Sequence, residues 1–236
     1  MPEDYFGEKV AARYDETLGA YGEPAVIDAA ADFLAELAGD GAALELAIGT
    51  GRIALPLAAR GVPVQGIDLS EAMVARLRAK PGGAEIPVAM GDYATTEVGG
   101  TFSLAYLVFN SISNQTTQEG QVATFANAAA HLEPGGCFVI EVGVGGGPSV
   151  EVFDLSDTHV GIDERNPATQ RLVSHHFSLV DGQWLRNSIP FRSVSPGEFD
   201  LMARLAGMEL RERWSDWNRE PFTADSTKHV SVWQKT

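Results

Sequence analysis

A chain of 236 residues with a formal net charge of -15 has room for one elaborated domain. It lacks the Lys and Arg excess that contact with nucleic-acid phosphates or an anionic membrane surface demands. Its 44% hydrophobic content supports a substantial core, and its single cysteine, Cys137, excludes an internal disulfide. Cys137 lies in the apolar run Gly135–Val142 and is read as a small core residue. Met1-Pro-Glu-Asp-Tyr-Phe-Gly has no basic segment followed by an apolar run, so no signal peptide is expected. No apolar run is long enough to span a bilayer. The expectation is a cytoplasmic protein, a monomer or homodimer, without nucleic-acid or membrane partners.

Residues 3–20 are polar and aromatic and read as a helix or ordered arm. Pro24 suits a first helical turn, and Ile27, Ala30, Ala31, Leu34, Leu37 and Ala38 then recur at helical spacing. Gly39 and Gly41 close that helix. Ala43–Ile48 is a first strand, followed by a glycine turn and a helix over Ile53–Arg60. Val62–Asp68 is a second strand, and Ser70 caps a helix over Glu71–Lys80. Ile86–Met90 and Phe102–Phe109 are the third and fourth strands. Thr117–Leu132 is a helix, Pro134-Gly-Gly136 a turn and Cys137–Val144 a fifth strand. Strands alternating with helices imply right-handed crossovers and a parallel sheet.

The pattern changes after Gly145-Gly-Gly-Pro148. Val150–Asp163, Gln170–Val180 and Trp184–Val194 alternate apolar and polar residues, with Asp181-Gly182 as a hairpin turn. They read as antiparallel strands inserted into the sheet order. Pro196–Gly207 returns to helix, and Met208–Trp217 pairs with Lys228–Gln234.

The chemistry-bearing residues fall at strand ends. Gly49 and Gly51 permit a sharp turn and close approach of a ligand to the backbone, and the following helix N-terminus favours an anionic group. Asp68 ends the second strand, Gly91-Asp92-Tyr93 the third and Phe109-Asn110-Ser111 the fourth. In an open parallel sheet such ends line one crevice.

Glu45-Leu-Ala47-Ile-Gly49-Thr-Gly51 resembles the first motif, E-x-G-x-G-x-G, of the class I S-adenosylmethionine-dependent methyltransferases. Ala47 stands where the motif has its first glycine. Asp68 resembles the family's acidic residue, Asp92 the residue near the adenine amine, and Leu132-Glu-Pro-Gly-Gly136 the turn before strand five. Phe109–Gln121 and Asp200–Trp217 are similar to a bacterial branch acting on small molecules. The resemblance covers residues 43–145. It implies an α/β, Rossmann-like fold: a mostly parallel seven-stranded sheet flanked by helices, with an inserted antiparallel β cap. It divides the chain into an arm (1–22), a cofactor-binding core (23–145 and 196–236) and a substrate cap (146–195).

The implied cofactor is S-adenosyl-L-methionine, with S-adenosyl-L-homocysteine as product, and the implied partner is a small-molecule acceptor methylated on O or N. Glu45 would orient the methionine end, beside Ala47, Gly49, Gly51 and Arg52. Asp68 would hold the ribose, Leu69 and Met73 the adenine, and Gly91, Asp92 and Tyr93 the border of the base. Phe109 would bind the cofactor, Asn110 would face the methyl or the acceptor, and Tyr14, with Asp15 in the arm, would cover the sulfonium.

The acid–base candidates are His175 and Tyr14. His175 shares the more apolar face of its strand with Val173, Phe177 and Leu179, which directs it toward a covered pocket; a histidine satisfied within the sheet is the alternative. His131 suits a helix C-terminus, and His159 and His229 have no informative context. Trp184, Phe177, Phe191, Trp214 and Trp217 are candidate aromatic walls or core residues. No ligand set has metal spacing, so no metal is expected.

Two other readings compete. Gly49-Thr-Gly51-Arg-Ile-Ala54 satisfies the nicotinamide pattern G-x-G-x-x-A, although no Tyr-x-x-x-Lys accompanies it. A non-catalytic S-adenosylmethionine-binding module would carry the same Glu45, Asp68 and Asp92. Asn110-Ser-Ile-Ser113 differs from the Asn/Asp-Pro-Pro-aromatic string of amino-directed base methyltransferases.

Overall fold

Five strands follow one another in parallel and build the centre of the molecule: β1 (Ala43–Leu46), β2 (Val64–Asp68), β3 (Val88–Met90), β4 (Phe102–Leu107) and β5 (Leu132–Gly143). The computed structural model describes residues 5–236. Residues 1–4, which include the start of the expected arm and of the stretch read for a leader, lie outside the described residues. The arm contains α1 (Glu8–Ala11) and 3-10 turns at Tyr14–Thr17 and Gly19–Gly22. The main helices are α2 (Pro24–Ala38), α3 (Ala54–Ala59), α4 (Glu71–Ala79), α5 (Gln118–His131) and α6 (Pro196–Leu205).

All four β1 residues are buried because helices cover both faces of the sheet. Ala43 faces the α2 and α3 side with Phe33, Leu57, Tyr106 and Val139. Leu44 and Leu46 face the α5 and α6 side with Phe125, Phe138, Phe199 and Trp233. Side-chain oxygens cap three helices as their sequences imply: Ser70 Oγ accepts from Met73 N, Thr117 Oγ1 from Gly120 N and Ser195 Oγ from Glu198 N.

The region after β5 departs from the expected arrangement. Val150–Asp163 is two strands, β6 (Val150–Leu155) and β7 (His159–Asn166), because Ser156-Asp-Thr158 has turn chemistry. The His159 amide donates to Ser156 Oγ at 3.0 Å and closes that turn. β6 and β7 continue with β8 (Arg171–Val180) and β9 (Gln183–Arg192) into a separate antiparallel sheet, order β6-β7-β8-β9. They do not enter the seven-stranded order, which is β10-β11-β5-β4-β1-β2-β3, with β10 (Met208–Trp214) and β11 (Lys228–Lys235) antiparallel at the edge. Arg192 fastens the small sheet to the core. Its guanidinium lies 2.6 Å from Glu198 on α6 and also reaches Gln121 on α5.

Several boundaries also shift. β5 starts at Leu132, ahead of the expected turn. β4 ends at Leu107 because Phe109 and Asn110 adopt φ of 56° and 61°. β10 stops at Trp214, where Ser215 N donates to Glu220 O in a turn. Among the described residues no helix is long and apolar enough to cross a membrane.

Candidate active site

The strand order reverses between β1 and β4, and a crevice opens beyond the carboxyl ends of strands on either side of such a point. β1 runs into a corner where Ala47, Gly49 and Gly51 all have positive φ. The Gly49 amide donates to Asp68 Oδ2 at 2.6 Å, and the Ser70 amide donates to Oδ1 at 2.8 Å. Two backbone amides therefore aim the β2 carboxylate at the corner after β1. A Cβ on Gly51 would lie 2.4 Å from Leu77 Cδ1, so that glycine lets α4 pack against the loop.

A hollow of about 700 Å³ lies at this point. Of the predicted site residues, Tyr14, Ala47, Gly49, Asp68, Leu69, Met73 and Tyr93 line it together. Glu45, Gly51, Arg52, Gly91, Asp92, Phe109 and Asn110 lie outside that lining. Ser111, at the end of the fourth strand's motif, borders it too, and sequence reasoning missed Phe6, Glu8 and Asn114, which also border it. The polar arm signalled the first two, whereas nothing local marked Asn114.

Behind the corner, Glu45 is buried and accepts from the Tyr106 hydroxyl at 2.9 Å. Burial pushes its carboxyl up to about 8, against the lowering effects of Tyr106 and Arg52. Arg52 Nη1 donates to Tyr21 O at 2.9 Å, while its Nη2 is buried without a hydrogen-bond partner among the described residues. Burial also raises Asp68, and its backbone amide donors oppose that shift. The Tyr14 phenol is pushed up to about 12, first by burial, with Arg52 opposing and Asp68, Asp15 and Glu45 reinforcing. Tyr14 is thus a neutral hydroxyl at ordinary pH.

The arm is latched over this corner. Thr50 Oγ1 donates to Asp15 Oδ1 at 2.6 Å, Lys80 pairs with Asp15 at 2.6 Å, and Lys80 Nζ donates to Thr50 O at 2.8 Å. Ser70 Oγ donates to Phe6 O, and Arg76 pairs with Glu8, each at 2.8 Å.

The far wall comes from the turns after β3 and β4. Asp92 Oδ1 accepts from Ala94 N at 2.9 Å and Gln115 Nε2 at 2.8 Å. The Tyr93 hydroxyl donates to Ser111 O at 2.7 Å. Phe109 and Asn110 are consecutive non-glycine residues in the left-handed region, a strained geometry that surrounding bonds must hold. Glu141 Oε2 accepts from Phe109 N at 3.1 Å, and Asn110 Oδ1 accepts from Gly143 N at 2.7 Å.

The histidines are elsewhere. His175, on β8, bonds Ser188 Oγ at 2.8 Å and is not brought to the hollow. His131 is buried, bonding Val98 N and Asn127 O. His159 contacts Asp154 and His176 within the small sheet. His229 is buried, and burial holds its imidazole down to about 4. Trp217 is a core residue against Phe33, whereas Trp184 is exposed.

This combination of fold and strand-end site matches known proteins. Residues 43–136 match a family model described as a methyltransferase domain. The CcbJ methyltransferase of Streptomyces caelestis has a solved structure similar to this one. It is 34% identical, with a TM-score of 0.88, over 99% of this chain and 100% of that one. The cypemycin N-terminal methyltransferase of a Streptomyces species is 26% identical over 203 residues, 81% of this chain and 82% of that protein. The dTDP-3-amino-3,4,6-trideoxy-alpha-D-glucopyranose N,N-dimethyltransferase of Streptomyces venezuelae is 30% identical over 157 residues, 66% of this chain and 62% of that protein. The chain belongs to the S-adenosylmethionine-dependent methyltransferases.

The residues present fit that cofactor. The unpartnered Arg52 Nη2 suits a carboxylate, and Asp68 stands at the hollow with lone pairs to spare.

Proposed function

We propose that this methyltransferase moves a methyl group to an N or O atom of a small molecule, with an amine as the preferred acceptor. The observation that carries the reading is the Asp68 carboxylate, fixed by the Gly49 and Ser70 amides on the wall of a hollow at the switch point of the sheet. The net charge of -15 favours a cationic acceptor, and two relatives are named for methylation of nitrogen.

When bound, S-adenosylmethionine supplies a methyl group activated by its sulfonium charge and leaves as S-adenosylhomocysteine. Asp68 would accept both ribose hydroxyls. Leu69 and Met73 would flank the base, with Tyr93 opposite. Arg52 would pair with the carboxylate and Glu45 with the ammonium of the methionine end. Tyr14 and the latched arm would exclude water and keep the nucleophile in line. Phe109 and Asn110 would border the acceptor. A cationic amine must give up one proton before its lone pair can attack; with His175 away from the hollow, water would take that proton.

In this reading residues 23–145 and 196–236 bind the donor, and 146–195 choose the acceptor. The enzyme would work in the cytoplasm as a monomer or homodimer, without nucleic-acid or membrane partners; the lone thiol suits a reducing compartment.

Calorimetry with S-adenosylhomocysteine and with NAD(P), followed by transfer of labelled methyl to a panel of small amines and alcohols, tests this. Binding of the homocysteine product and labelling of an amine are expected. Binding of NAD(P) alone would restore the oxidoreductase reading. Donor binding without transfer to any acceptor would favour a non-catalytic module.

A further inference from the structure

Gln121, on α5, is fully buried between the far wall of the hollow and the small sheet. Its amide is committed in three directions. Nε2 donates to Ile112 O at 3.2 Å and to Arg192 O at 3.3 Å, and Oε1 accepts from Arg192 Nη1. A guanidinium only donates and a carbonyl only accepts, so these partners fix which way the amide points. Among the described residues no other side chain is hydrogen-bonded both to the turn after β4 and to the small sheet.

The two partners belong to different parts of the molecule. Ile112 sits in the 3-10 turn Ser111–Asn114, whose first and last residues line the hollow. Tyr93, on the same wall, donates its hydroxyl to Ser111 O. Arg192 ends β9, is buried, and pairs with Glu198 at 2.6 Å while its Nη2 also donates to Gln170. On the other side of the small sheet the chain from β5 passes Gly145-Gly-Gly147, with φ of 127° and 109° at Gly146 and Gly147. Glycines of that kind set little direction, so the orientation of the sheet falls to the buried network. Apolar side chains would fill the same space without the cost of burying an amide and a guanidinium. The polar network adds a specified geometry in return.

We infer that Gln121 is a positioning residue that ties the small sheet to the wall of the hollow, so that a donor held against that wall steadies the sheet proposed to choose the acceptor. The inference rests on the S-adenosylmethionine reading above.

Hydrogen exchange read by mass spectrometry tests it in the full chain, with and without S-adenosylhomocysteine at about a hundred times its dissociation constant. In the wild type the ligand should slow exchange in the β8–β9 ladder about three- to tenfold, below the ceiling of about 100-fold for amides that exchange only from the unliganded protein. Gln121→Glu keeps an oxygen for Arg192 but cannot donate to Ile112 O. The slowing in β8–β9 should vanish in this variant, while slowing around Gly49 and Ser70 remains. Coupling is reciprocal, so affinity for the probe should fall by no more than the factor lost in the small sheet. A role in packing alone would leave the slowing intact, since glutamate has the size of glutamine. Melting curves confirm folding, and Gln121→Met takes the place of Gln121→Glu, with the same expectation, should the buried carboxylate not be tolerated.

Slowing in β8–β9 that survives in the variant overturns the inference. So does a wild type in which the regions of Gly49 and Ser70 are protected and β8–β9 is not. A wild type that does not bind the probe at all removes the donor reading itself, and this inference with it.

Discussion

The seven-stranded and four-stranded sheets are made of similar residues but are stabilised differently. β1 is buried at every position, whereas β6 is exposed at every position. The large sheet is covered on both faces by helices. The small sheet leaves Val150, Val152, Phe153, Leu155, Trp184 and Leu185 open and meets α5 and α6 through Arg192, Gln121 and Glu198. The hollow lies beyond the carboxyl ends of the central strands of the large sheet, where backbone amides can be aimed. The small sheet is held mainly by its own ladders, β6-β7-β8-β9.

The sharpest way to break this contrast is a pair of truncations. Trp233 is fully buried and packs against Phe125, Phe138 and Phe199. Trp233→Ala should cost about 3–5 kcal/mol of stability, the usual range for a large buried aromatic. Leu155 is 77% exposed, and Leu155→Ala should stay within about 0.5 kcal/mol of the parent. Denaturant unfolding measures both. A comparable loss at Leu155 would mean that the small sheet is covered in solution.

The same contrast appears in function. Asp68→Ala should weaken S-adenosylhomocysteine binding by about 1–3 kcal/mol, roughly 5- to 150-fold, as expected for lost hydrogen bonds to a charged group. His175→Ala, in the small sheet, should leave that dissociation constant unchanged. An unchanged constant in Asp68→Ala would remove Asp68 from the site.

What was legible follows the same division. Strands and helices of the core were readable because apolar periodicity and glycine or proline punctuation coincide there, as in Leu44–Leu46 and Ser70–Leu77. Ala47, Gly49, Asp68, Leu69 and Tyr93 converge because strand ends at a switch point must converge, whereas Met73 is carried there by α4 and Tyr14 by the latched arm. The β6–β7 turn was missed because Ser156-Asp-Thr158 contains neither Gly nor Pro. The alternation that sent His175 toward a pocket specifies a face of a strand but not what covers that face. Asn114 was invisible because the turn after β4 that brings it to the hollow is a property of the folded state alone.

Glu45 offers a test through pH. Its carboxyl is raised to about 8, so at pH 7 the folded protein holds a proton that an unfolded glutamic acid, at 4.5, does not. The stability contributed by this protonation is complete below pH 4.5 and is lost as pH rises through 8. A cationic methionine end favours the ionised form, so binding at pH 7 should release a proton. Affinity for S-adenosylhomocysteine should rise by at most about tenfold from pH 7 to 9. Calorimetry in buffers of different ionisation enthalpy detects the proton, and Glu45→Gln should abolish both effects. A flat profile in the wild type would separate Glu45 from the ligand's ammonium.

The smallest expected effect concerns the residue that departs from the family's glycine pattern. Ala47 has a φ of 58°, in the left-handed region where an L residue costs about 1–2 kcal/mol. Glycine removes that cost but loses more backbone freedom on folding, about 0.5–1 kcal/mol. Ala47→Gly should therefore gain between about 0 and 1.5 kcal/mol, a rise in melting temperature of no more than roughly 3–6 °C for a chain of this size. Asp181, with a φ of 50° in the exposed β8–β9 turn, is the counterpart in the small sheet. Aspartate tolerates that conformation better than alanine, so Asp181→Gly should gain less than Ala47→Gly. A loss of stability at position 47 would show that the Ala47 methyl, on the wall of the hollow, contributes packing that outweighs the backbone strain.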